Sequence, residues 1–226
     1  MTKRQLGIYR DNEILERIEV HKCLNTEQIQ ILMFKGMTLG SRKRKCQQRL
    51  KKLTDQGKIR RWRYDLESPY AYFIERIGHM EHAVLLNWIV IWSELNLNSC
   101  EEIYSIKYEK DFGILRSDCF IAIKNTVTDS FRFLLIEMDI HHASNKFNKV
   151  KKYNKLYESD LSDQWWSKLT DKFPKILLVT NIERKLNKIV DLVKSENKNS
   201  LEFECHLVWN IRNDVLKSDE LTKEEG

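Results

Sequence analysis

SRKRKCQQRLKKLTDQGKIRRWR, residues 41–63, carries eleven Lys or Arg side chains against one acid, Asp55. Its first half has helical spacing: Leu50 and Leu53 point one way, and Arg42, Lys43, Lys45, Gln48, Arg49 and Lys52 spread over the outer surface, with Ser41 placed as N-cap. Gly57 stops that helix, because glycine alone enters the left-handed C′ conformation without steric cost. Beyond it the period becomes alternating. KIRRWRY at 58–64 predicts a strand, 65–69 a turn, and YAYFI at 70–74 the returning strand.

Upstream, Ile14, Leu15, Ile18 and Leu24 mark one buried face of a helix over residues 11–20. Asn25-Thr26-Glu27-Gln28 opens a second helix with apolar Ile29, Leu32 and Met33, and Gly36 and Gly40 bracket the turn before the third. Three helices and a hairpin in this order predict a winged helix-turn-helix over residues 1–77. Such a module lays its third helix in the major groove and its wing beside the backbone or minor groove. Arg42, Arg44, Lys45, Gln48 and Arg49 are then expected at base edges, Lys58, Arg60, Arg61 and Arg63 at phosphates, and Lys43 and Lys52 in the same DNA-facing set. Residues 1–77 hold 18 Lys/Arg and 9 Asp/Glu, a balance of +9 against −3 for the remainder, so the electrostatic footprint belongs to this module. Double-stranded DNA is the expected partner. Two plainer readings stand beside it, a solvated basic face and a protein-docking module.

The chain of 226 residues, 42% hydrophobic, is long enough for two cored domains. Its five cysteines form no CxxC pair, which predicts free thiols in a reducing cytoplasm rather than a disulfide framework or zinc site. No apolar run approaches the roughly 18 residues of a membrane span, so no membrane partner is expected. Seven glycines without a GxGxxG or GxxxxGK[ST] pattern argue against nucleotide hydrolysis.

A second domain is expected over residues 78–216, followed by a polar tail at 217–226. A helix over 80–97 leads into a weakly alternating strand at 102–108 and two stronger ones at 119–123 and 131–137. A basic helix over 144–157, a continuous apolar strand at 175–180, an amphipathic helix over 182–194 and a strand at 201–209 follow. That order predicts an α/β domain with a mixed sheet and helices on both faces. Asp118 starts one strand, and Glu137 and Asp139 end the next. Adjacent strands would gather the three carboxylates at one edge, an oxygen cluster suited to Mg²⁺ or Mn²⁺ beside a phosphodiester. The alternative is that all three are turn and edge charges. His141-His142 could extend a metal site, although adjacent side chains face different ways.

Ser117-Asp118 followed by Glu137-Met138-Asp139 resembles the PD-(D/E)XK nuclease fold, whose signature is an aspartate followed by glutamate-x-lysine on neighbouring strands. LRSDCFIAI, FLLIEMDIHH, KVKKY at 149–153 and KILLVTN together resemble the plasmid replication-relaxation family, in which a winged helix precedes a degenerate nuclease-like domain. The resemblance spans about residues 10–210. It implies a DNA-binding protein of a mobile element, acting in plasmid replication, relaxation or regulation. Its implied partners are a second copy or other replication, transfer or recombination proteins of the same element. Asp139 stands where the signature has lysine. An aspartate repels the hydroxide and developing charge that the lysine would stabilise, so activity would require Lys146 or Lys149 from the next helix. The expectation is therefore a nuclease-like domain without nuclease activity, with a metal-dependent DNA endonuclease as the alternative.

Overall fold

The computed structural model describes residues 2–140 and 147–221. The chain is mixed α/β and divides into two units, one running to Trp92 and resuming at Arg212, the other Ser93–Ile211. Among the described residues, no helix is long and apolar enough to cross a membrane.

The first unit begins with α1 (Lys3–His21), whose start is fixed by a capping box between Thr2 and Gln5. A two-residue strand, β1 (Leu24–Asn25), leads into α2 (Thr26–Met33), which the Asn25 and Gln28 side chains cap reciprocally at 2.8 and 2.9 Å. The basic stretch forms α3 (Leu39–Asp55), then β2 (Arg60–Trp62) and β3 (Ala71–Phe73). α3 starts two residues before Ser41, at N-cap Thr38 and without a side-chain cap bond. Its other end is a Schellman motif. Gly57 sits at φ 69°, its N–H reaches Thr54 O at 2.9 Å, and Lys58 N–H reaches Leu53 O at 3.0 Å. The sheet order is β1-β3-β2, antiparallel throughout, with Leu24 opposite Tyr72 and Arg61 opposite Tyr72 on the other side.

Ile14, Ile18, Ile29, Leu50 and Leu53 are buried in this unit. α4 (Met80–Leu95) is fastened by its middle: buried Asn87 donates through Nδ2 to His21 O at 3.0 Å and Cys23 O at 2.5 Å. Gln28 Nε2 donates to Val84 O at 2.8 Å, joining α2 to the same helix. The two Asn87 bonds engage backbone carbonyls at and just beyond the end of α1, past the last intrahelical donor.

The second unit is a five-stranded mixed sheet in the order β4-β5-β6-β7-β8. β4 (Glu101–Asp111), β5 (Arg116–Asn125) and β6 (Phe131–Asp139) form an antiparallel meander, and β7 (Lys175–Thr180) and β8 (Phe203–Leu207) add in parallel. The parallel joins are made through α5 (Lys149–Glu158) and α6 (Glu183–Glu196). Phe120, Ala122, Phe133, Leu135, Ile176 and Leu178 alternate onto one face and pack with Val150, Tyr153 and Leu156 of α5 and Ile189 of α6. Trp166, in a 3-10 turn at Trp165–Lys168, closes the same cluster.

The two ends of the chain also differ from the sequence reading. The first helix begins eight residues earlier than the apolar periodicity indicates, because its opening turns are amphipathic only weakly and carry exposed Leu6, Ile8 and Tyr9. The last strand stops at Leu207, and Val208 opens α7 (Val208–Leu221). Val208, Ile211 and Val215 are buried at helical spacing, so residues 217–221 end a helix and are not an irregular tail.

Candidate functional site

Two groups of residues carry chemistry, one in each unit. On α3 the inward side is Arg42, Cys46, Leu50 and Leu53, spaced i, i+4, i+8 and i+11. Arg42, expected at the outer surface, is only 4% exposed. Its position on the helix is that of the apolar stripe, and geometry overrides its charge. Lys43, Arg44, Lys45, Gln48 and Lys52 are exposed, as are Gln47 and Lys51. Lys51 lies seven residues, about two turns, along from Arg44, in the middle of the outer face, a place the helical period alone assigns to it.

Arg49 is directed at α1 instead of outward. Its Nε donates to Asp11 Oδ1 at 2.6 Å and its Nη2 to Gly7 O, while Lys52 Nζ reaches Asp11 Oδ2 at 2.9 Å. Asp11 is thus a buried anion that fixes α3 against α1 and neutralises part of its charge. Lys58, Arg60 and Arg61 are exposed around β2. Arg60 lies over Phe73 at 5.3 Å, and Arg61 and Arg63 over Tyr70 at 4.6 and 5.0 Å, so rings hold the guanidinium planes in place. The intervening turn is set by Asp65, whose Oδ1 accepts from the amides of Glu67 and Ser68 at 2.9 and 2.6 Å.

In the second unit, strand alternation places Asp118 with Phe120 and Ala122, and Glu137 and Asp139 with Phe133 and Leu135, on the face covered by α5 and α6. Asp118 Oδ2 accepts from Met138 N–H at 2.7 Å. Glu137 is 2% exposed; one oxygen accepts from the Tyr153 hydroxyl, and the other meets Lys149 Nζ at 2.7 Å. The same ammonium donates to Arg116 O at 2.8 Å. Asp139 Oδ1 accepts from Lys185 Nζ at 2.6 Å. Ser117 is buried, and its hydroxyl contacts Cys119 O and Ile136 O at 3.0 and 3.1 Å, bracing the start of β5 on β6.

Burial and, after it, the neighbouring Asp118 charge push the Glu137 carboxyl up to about 7, against the opposing pull of Lys149 and the Tyr153 hydrogen bond. Burial, together with the Glu137 charge, drives the Tyr153 phenol well above its ordinary range. Burial also raises the Cys23 and Cys46 thiols to about 12, which leaves both unreactive near neutral pH.

Lys149 therefore reaches the carboxylate from the helix that follows. Lys146, His141 and His142 lie outside the described residues. Lys185, absent from the sequence reading, had a legible signal: it shares the buried stripe of α6 with Ile189 and Val193 at i+4 and i+8. Comparison with protein-family models, curated proteins and solved structures found no match.

Mg²⁺ keeps several waters and needs near-octahedral oxygen ligands. The three carboxylates do not fit that demand: Glu137 has both oxygens engaged and is closed to solvent, and Asp118 and Asp139 each accept from another donor. Among the described residues, no group of three or more His, Cys, Asp or Glu side chains is arranged to hold a metal.

Proposed function

We propose that the chain binds double-stranded DNA through its first unit, working as a winged helix. The second unit, nuclease-like in its arrangement of Asp118, Glu137 and Lys149, is a non-cleaving platform for a second copy or for replication, transfer or recombination proteins of the same mobile element. One observation carries this reading. The element order α1-β1-α2-α3-β2-β3 with sheet order β1-β3-β2 leaves outward the α3 face bearing Lys43, Arg44, Lys45, Gln47, Gln48 and Lys51, beside exposed Lys58, Arg60 and Arg61. Asp55, the last residue of α3, is its only acid, so phosphate meets no carboxylate of that helix from Lys43 to Lys51. Arg49 and Arg42, both turned inward, are left out of the interface, and Lys51 joins it.

Fluorescence anisotropy of a labelled duplex, repeated over a salt series, tests the proposal. Affinity is expected to fall by about 0.9 log units per log unit of salt for each phosphate contacted. Arg44→Ala with Lys51→Ala should weaken binding and flatten that dependence; unchanged binding at physiological salt would remove α3 from the interface. The alternative of a metal-dependent endonuclease is favoured by the ammonium of Lys149 beside Glu137. Nicking of supercoiled plasmid in Mg²⁺ or Mn²⁺, abolished by Glu137→Ala, would establish it over the platform reading.

A further inference from the structure

The carboxylate cluster has cations of its own. Lys149 is the first residue of α5 and Lys185 the third residue of α6. Both occupy first turns, where unpaired N–H groups and the helix dipole favour anions and disfavour an ammonium. Neither helix gains from a lysine there. Each ammonium instead lies on a carboxylate of β6, at 2.7 Å from Glu137 and 2.6 Å from Asp139. Lys185 is 2% exposed and Glu137 likewise, so these charges are held out of water, a state that is costly without a partner at contact distance.

We infer that Lys149 and Lys185 are built-in counter-cations, taking the place of a divalent metal at the end of β6 and closing the cluster to one. Two ammonium groups supply the two positive charges of a divalent ion, split between two helices. Tyr153 and the Met138 amide engage further carboxylate oxygens that a metal would need. A divalent ion could enter only by displacing at least one ammonium, which would then be left beside it. The acids are thereby used to tie α5 and α6 to the sheet. The inference rests on the second unit alone and is independent of DNA binding.

The test is Mn²⁺ binding to the full chain, read from the loss of the free-ion electron paramagnetic resonance signal. Wild type is expected to bind no Mn²⁺ at millimolar concentration. Lys149→Met combined with Lys185→Met is expected to gain binding, and adding Glu137→Gln is expected to abolish that gain. Lys149→Met alone, at the more exposed of the two lysines, serves if the double variant fails to fold, and should show a weaker gain of the same kind. Wild-type Mn²⁺ binding that disappears in Glu137→Gln would overturn the inference, and so would a folded double variant that binds no more Mn²⁺ than wild type. DNA affinity measured in chelator reports separately on the first unit, so the two proposals fail independently.

Discussion

Deleting Asp139 and deleting Lys185 break the same ion pair, yet the costs are expected to differ because the survivors occupy different surroundings. The Lys185 side chain is 2% exposed and lies in the first turn of α6; that of Asp139 is 16% exposed at the end of β6. Asp139→Ala leaves a buried ammonium without its carboxylate, against the helix dipole, and should cost about 3–5 kcal/mol, the range for one-sided loss of a buried pair. Lys185→Ala leaves a carboxylate that water reaches and a helix N-terminus favours, which lowers the cost to about 1–2 kcal/mol. Replacing both, as Asp139→Leu with Lys185→Met, removes the two desolvation penalties together and should fall within about 1 kcal/mol of wild type. Urea unfolding of the full chain followed by far-ultraviolet circular dichroism reads these differences as midpoint shifts at constant slope. An Asp139→Ala variant no less stable than Lys185→Ala would refute the reasoning, as would a double variant as damaged as Asp139→Ala.

Glu137 gives a pH test. Its folded-state carboxyl is raised to about 7 from an ordinary 4.5, so the native state binds the proton more tightly than the unfolded chain. That contribution is complete below about pH 4.5 and is lost as pH rises through 7, by at most about 3 kcal/mol; Glu137→Gln should flatten the decline in a series of urea melts. Asp11→Asn should release Arg49 and Lys52 towards phosphate, steepening the salt dependence of duplex binding by up to about 0.9 log units for each, while lowering stability by about 1–2 kcal/mol. Selection from randomised duplexes should show Arg44→Ala relaxing preference at a guanine and Gln48→Ala at an adenine about two base steps away, since four helical residues advance ~6 Å. Lys51→Ala should lower affinity evenly across those sequences.

Legibility followed the strength of the local signal. Gly57 announced the end of α3, and it forms the left-handed step of a Schellman motif there. The apolar run at 175–180 announced β7, a strand covered on both sides. β1 escaped notice because two residues have no period, although Leu24 and Asn25 complete a three-stranded sheet. α7 escaped because Val208, Ile211 and Val215 are diluted by polar neighbours and follow directly on a strand.

At the site, helical angle is a better guide to a side chain's place than its charge. Arg42 looked outward by composition but sits at the angle of Cys46 and Leu50. Charge alone singles out neither Lys51, in the centre of a solvent face, nor Lys185, on an apolar stripe. Arg49's bond to Gly7 and its pairing with Asp11, 38 residues away, have no local sequence signature at all.

The change of strand direction at β6 also sets an order of assembly. β4, β5 and β6 meet through short reversals, whereas β7 and β8 reach the sheet only after crossover helices, and long loops are slow to close. The contact between Asp139 and Lys185 joins residues 46 positions apart and needs both β6 and α6 in place. A contact of that separation is expected to form on the late side of the folding barrier, so weakening it should leave the refolding rate nearly unchanged and hasten unfolding. The pair is, in kinetic terms, a catch that governs how long the sheet stays closed.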